Sequence, residues 1–261
     1  MPPRGLKKLV VESAPGKLVR GKFTGFRAVD RHGTPTGPML KGITKLLAEN
    51  LYSTGELDEA SVRSTEFRGG AWQGGGGGLR RGKAVDSQVS RLSSAGAGTR
   101  ASSSTYKLTK LTFAALEAAG LEPLTGQRVV VDRRHGVGTA CDVVCYRPKD
   151  NALVVVELKT GYSGNRTLAA TTKNSTAPCK MRSPCSTATD CVLHRHMAQL
   201  AVTRHLLASE RAFVAALKTK FKIEAVRGIL LYCCNRDTSA YDLSEWWVRR
   251  SKRILETIAV R

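Results

Sequence analysis

Residues Gly138 to Lys159 read GTACDVVCYRPKDNALVVVELK, and this stretch decides how the chain is understood. Two apolar, β-branched runs flank Pro148-Lys149-Asp150-Asn151, residues that favour a tight bend. The pattern predicts a hairpin of two strands, Thr139–Tyr146 and Leu153–Lys159. Centring the turn between Lys149 and Asp150 sets Asp142 opposite Glu157. Directly opposed side chains lie about 4.5–5.5 Å apart at Cβ, so two like charges there destabilise the pair. They become tolerable when a cation sits between them or when one is protonated. Glu157 and Lys159 are two residues apart and share a face, while Val154, Val156 and Leu158 take the other face into the core. Asp142, Glu157 and Lys159 thus converge at the edge of an apolar sheet. Hard oxygen ligands of this kind suit Mg²⁺ or Mn²⁺, and a metal with a neighbouring lysine suits phosphodiester hydrolysis. The same spacing also suits an edge hairpin with both carboxylates in solvent and Lys159 as a cross-strand partner. A carboxylate inside LVVVELK argues against that.

Working outward, the flanking pattern is mixed α/β. Short helices are expected at Gly82–Leu92 and Thr105–Ala119, the second ended by Gly120. Arg128–Asp132 reads as a strand, Asp190–Ser209 and Glu210–Phe221 as helices, Ala225–Cys234 as a strand and Leu243–Ile258 as a final helix. That order predicts a small central sheet with helices on its faces. Before residue 104, Gly, Ser, Pro and Arg dominate. Residues 1–78 are therefore expected to be a basic N-terminal extension with one helix, Met39–Leu51. The run Gly74–Gly78 is a flexible connector, and residues 79–261 are the main domain.

The chain has 261 residues, with 42 Lys+Arg against 21 Asp+Glu and a net charge of +21. Residues 1–103 hold 17 basic and 8 acidic residues, and 104–261 hold the other 25 and 13. An excess spread over both parts points to a polyanionic partner, DNA first. No apolar run approaches the ~18 residues of a membrane span. The first residues lack the apolar centre of a secretory signal, so an intracellular place is expected, whether nuclear, nucleoid or virus-encoded. Seven cysteines, an odd number, read as reduced thiols and not as a disulfide framework. Membrane, collagen-like and disulfide-knot classes are excluded.

Three strings together resemble a known family: Gly138-x-x-x-Asp142, Glu157-Leu158-Lys159-Thr160-Gly161, and His196-x-x-Gln199-Leu200. They resemble the PD-(D/E)XK nuclease superfamily, within it the RecB-type and lambda-exonuclease-type members, over about residues 79–235. The resemblance implies a restriction-endonuclease-like core and a Mg²⁺-dependent deoxyribonuclease, an exonuclease before an endonuclease, acting in DNA recombination, repair or replication. By position, Asp142, Glu157 and the Leu158 carbonyl would bind the metal. Lys159 would be the catalytic lysine, with Gln199 steadying it or the substrate. Where family members often carry a His on the first helix, this chain has Asp86, which by position would be a third carboxylate ligand; Glu117 is the competing candidate. Lambda-exonuclease-type relatives form rings, so a homo-oligomer is compatible. The alternatives are a catalytically silent DNA-binding or packaging protein on the same fold, and a basic structural or chromatin-associated protein whose hairpin only imitates the motif.

Other signals are weaker. The segment Thr160–Thr189 has no acidic residue and carries Arg166, Lys173, Lys180 and Arg182. Leaving the Glu157–Lys159 strand, it is expected over the site, gripping phosphates or forming a surface insertion. His196 shares a helix face with Gln199 and is placed on the nucleic-acid side. Arg249, Arg250 and Arg253 with Lys252 form a basic edge on the last helix, suited equally to DNA contact and to solvation. Trp246 could stack on a base or simply pack. Cys179, Cys185 and Cys191 lack a C-x2-C pair. Although some RecB-type nucleases carry an iron–sulfur cluster, free loop thiols are the simpler reading.

Overall fold

The computed structural model describes residues 1–20, 26–29, 32, 34, 35, 37–53, 78–93, 95, 105–162, 179–234 and 237–259. In chain order the elements are α1 (Leu6–Glu12), β1 (Lys17–Arg20), β2 (Phe26–Val29), β3 (Lys41–Gly42), α2 (Ile43–Asn50), α3 (Gly78–Ser93), α4 (Lys107–Ala118), β4 (Glu122–Asp132), β5 (Val137–Arg147), β6 (Ala152–Thr160), α5 (Val192–Ala208), α6 (Arg211–Phe221), β7 (Val226–Cys233), β8 (Thr238–Asp242) and α7 (Glu245–Ala259). The protein is mixed α/β, with a mixed sheet flanked by helices. Residues 54–77, which include most of the expected glycine connector, lie outside the described residues, as do 163–178.

The hairpin forms in the expected register. Val143 pairs with Val156, Cys145 with Val154 and Arg147 with Ala152. The turn is a 3₁₀ turn, Pro148–Asp150, followed by Asn151 at φ 45°. Asparagine tolerates that left-handed geometry. Its side chain accepts from the Tyr146 hydroxyl (3.0 Å) and donates to the Lys222 carbonyl (2.9 Å). β6 then runs parallel to β7, with Glu157 beside Leu230 and Lys159 beside Tyr232. β8, which the sequence reading did not foresee, closes that side as an antiparallel edge strand.

β6 is apolar without a break from Ala152 to Val156 because both of its faces are covered there. Leu153 and Val155 join the core built with α1, α2, α5, α6 and α7. Val154, Val156 and Leu158 join the core under α3 and α4. α4 ends as expected. Gly120, at φ 67°, donates to Glu117 O, and Leu121 N–H reaches Leu116 O, a Schellman closure.

The expected N-terminal extension is corrected. Leu6, Val10, Ile43, Leu46, Leu47 and Leu51 are buried in the same core as α5 and α7. Arg128 on β4 is buried and fixes α1 through Val10 O (3.0 Å), while holding Glu210 at 2.7 Å. Ser53 N–H donates to Asp190 (2.9 Å), whose carboxylate also takes the Arg195 guanidinium at 2.7 Å. These polar anchors are long-range and leave no periodic trace, so composition alone reads the segment as a tail. The helix there is also shorter than expected, Ile43–Asn50.

Candidate active site

β4 occupies one edge of β5 from Val137 to Tyr146. The other edge is shared. β3 pairs in parallel at Val137 and Gly138, and β6 pairs antiparallel from Val143 onward. Asp142 stands at the fork where β6 leaves β5. Its Oδ2 accepts the N–H of Leu158 at 2.9 Å, so the side chain takes over from the backbone ladder. Opposite it, β4 is also irregular. Gly126 pairs with Val143 and Arg128 with Cys141, while Gln127 between them sits at φ 52°. Gln127 Nε2 reaches Asp142 Oδ1 at 3.3 Å.

Glu157 is buried, at 1% exposure. Its Oε1 accepts from Lys159 Nζ (2.7 Å) and from Gln199 Nε2 (2.6 Å), and Gln199 Oε1 lies 3.3 Å from Lys159 Nζ. Glu157, Lys159 and Gln199 therefore form a closed triangle between β6 and α5. Glu157 Oε2 is buried and has no hydrogen-bond partner among the described residues. A buried carboxylate oxygen left open is costly, and that cost calls for a cation or donor at this point.

The charges are strongly coupled. Burial first, and then the Glu157 charge, push the Asp142 carboxyl well above its ordinary range; Lys159 and the Leu158 N–H pull the other way. Burial favours the neutral amine of Lys159, but Glu157 and Asp142 outweigh it and hold the ammonium above its usual range. Burial also lifts Asp86 on α3 to about 6, with Lys159 opposing and Glu157 adding to the rise. Asp86 therefore senses this cluster, while Glu117 is exposed on α4. Glycine at 126 makes this approach fit: a Cβ there would stand 2.4 Å from the Ser90 Cα, so α3 rests directly on β4.

Asp142 and Glu157 offer hard oxygen ligands around an open carboxylate oxygen, a fit to a divalent cation that keeps several waters. Among the described residues no group of three or more His, Cys, Asp and Glu side chains is drawn together closely enough to hold a metal. Asp86 meets this cluster through charge. Leu158 meets Asp142 through its N–H.

The remaining expected residues divide. His196 Nδ1 lies 2.9 Å from the Tyr232 hydroxyl, and its ring meets Tyr162 edge-on at 5.2 Å. Arg249 and Arg253 are exposed on α7, while Arg250 lies 3.9 Å over the Trp246 ring. Trp246 itself packs against Trp247. Lys180 is exposed and bonds Thr187 O (3.4 Å). Arg182 donates to Glu49 O (2.9 Å), and its N–H donates to Leu51 O, closing the end of α2. The described end of the 160–189 segment is thus docked on α2 and does not hang free. Arg166 and Lys173 lie outside the described residues. No disulfide joins any of the seven cysteines, and Cys185 and Cys191 are core residues, not loop thiols. Gln127, Lys83 and Arg91 were not singled out from sequence. They line a cavity of about 460 Å³ with Asp86, Ser87 and Ser90. Only the Gly126-Gln127 pair, a turn-like dipeptide inside a strand, hinted at the irregularity.

No protein-family model matches the chain, and no curated protein is similar enough to match it. Among the described residues no helix is long and apolar enough to cross a membrane.

Proposed function

We propose that the protein is a metal-dependent DNA nuclease on a restriction-endonuclease-like core. The observation that carries this reading is the buried Glu157, tied to Lys159 and Gln199, with Oε2 open among the described residues and its charge felt by Asp142. Asp142 and Glu157 would hold Mg²⁺ or Mn²⁺, with the Leu158 carbonyl as a further donor. When bound, the ion polarises the phosphodiester and lowers the pKa of water at the site. Gln199 holds the Glu157 carboxylate through its Nε2 and the Lys159 ammonium through its Oε1. Lys159 holds its proton against the carboxylates, so its part is to donate to a phosphoryl oxygen or to orient the attacking water. The net charge of +21 supplies long-range attraction for a polyanion. Likeness to exonuclease-type members favours attack from DNA ends, in recombination, repair or replication.

The test is incubation of labelled linear duplex, single-stranded and closed circular DNA in Mg²⁺, Mn²⁺ or chelator, with Glu157→Gln in parallel. Metal-dependent cutting that the variant loses supports the nuclease, and sparing of the circle supports an exonuclease. Binding without cutting under every metal condition sinks catalysis and leaves a silent DNA-binding protein.

A further inference from the structure

We infer that the cavity along α3 is the groove that grips the substrate strand, through its phosphates and without reading its sequence; this deepens the nuclease reading and rests on it. The cavity is lined by Lys83, Asp86, Ser87, Ser90, Arg91 and Gln127. Residues 83, 86, 87, 90 and 91 recur at helical spacing, so α3 presents one continuous polar face. Two of the lining residues lead straight to the candidate site. Asp86 shares the electrostatics of Glu157 and Lys159, and Gln127 donates to Asp142. The groove therefore lies one hydrogen bond away from Asp142.

The lining chemistry selects the ligand. Lys83 and Arg91 are exposed cations, Ser87, Ser90 and Gln127 are neutral donors, and the acid, Asp86, belongs to the catalytic cluster. Donors of this kind suit phosphate oxygens. Among the described residues no aromatic or apolar side chain lines the cavity, so those residues hold the strand by its phosphates and not by base stacking. Lys83 and Arg91 are eight residues apart, about 12 Å along the helix axis. A strand laid along the groove places more than one phosphate over that length. The span suits a continuous strand and exceeds a single terminal phosphate. Ser90 is the residue against which Gly126 is packed, so the groove wall is fixed to β4.

The test is DNA binding by the full chain in chelator, where no cutting interferes. It compares wild type, the Lys83→Ala/Arg91→Ala double variant, and a charge-matched control, Lys218→Ala/Lys220→Ala. The control residues are exposed on α6, whose end is tied to the hairpin turn, away from the fork. Probes are linear duplexes of two unrelated sequences, each with 5′-phosphate or 5′-hydroxyl ends, and a closed circle. The double variant should bind about tenfold more weakly, and its log–log salt slope should fall by roughly 0.7–0.9 per lost contact. The loss should be equal for both sequences, both end types and the circle, while the control stays close to wild type. An unchanged affinity and slope overturns the groove, and so does a loss that depends on sequence. A loss confined to 5′-phosphorylated ends overturns the strand in favour of a terminal-phosphate pocket. Circular dichroism confirms that the double variant is folded. If the double variant loses binding but wild type never cuts, the nuclease reading fails while the groove stands; if wild type cuts and the double variant binds normally, the groove fails alone.

Discussion

Asp86→Asn should make the metal-free protein more stable at neutral pH. Burial and the Glu157 charge raise the Asp86 carboxyl from 3.8 to about 6, against the pull of Lys159. As pH rises from about 4 to about 6, the folded form keeps a proton that the unfolded chain gives up, so stability falls over that window. At about 1.4 kcal/mol per pK unit, the full shift corresponds to about 3 kcal/mol. Asp86 is partly open to the groove, and solvent screening reduces this to roughly 1–2 kcal/mol. Asparagine keeps the shape and removes the charge. For a chain of this size the gain corresponds to about 2–8 °C in Tm. Thermal unfolding of wild type and variant in chelator, at pH 4 and pH 7, measures it. The gain should be near zero at pH 4 and complete by pH 7, and saturating Mg²⁺ should narrow it. An equal gain at both pH values, or a loss at pH 7, would refute the charge coupling.

Three further outcomes are expected. Glu157→Gln should abolish cutting while DNA binding survives, whereas Glu157→Ala should also lower stability by roughly 2–4 kcal/mol in urea unfolding, because Lys159 Nζ and Gln199 lose their acceptor. Gly126→Ala should cost roughly 1–3 kcal/mol by driving α3 off β4, and it should weaken activity through Asp86 and the groove. Arg128→Ala strands Glu210 and frees the α1 backbone, so it should cost about 3–5 kcal/mol and speed limited proteolysis between α1 and β1.

The hairpin was legible because its turn residues fix the centre and every pair then follows by counting. Glu157 and Lys159 were legible because charges inside an apolar strand have few explanations, and Gln199 because the resemblance pointed to it. The integration of α1, α2 and β3 was hidden. Their anchors, Arg128 to Val10 and Asp190 to Ser53, join residues more than a hundred positions apart. The groove was hidden for a different reason. Lys83, Ser87, Ser90 and Arg91 look like an ordinary solvated helix face, and only the packing of α3 on Gly126 turns that face toward Asp142. β8 was missed because TSAYD is short and mostly polar, as an edge strand facing water can be.

The shared edge of β5 has a consequence for dissecting the molecule. Lys41 and Gly42 cover the edge of β5 just before the fork, and they come from nearly a hundred residues upstream. A chain begun at residue 79 would keep all of Asp142, Glu157, Lys159 and Gln199, yet it would bare unpaired backbone at Val137 and Gly138. Bared strand edges recruit other strands. Such a fragment would associate through this edge and crowd Asp142 from the side, so the part of the sequence that holds all four candidate residues does not amount to a separable unit.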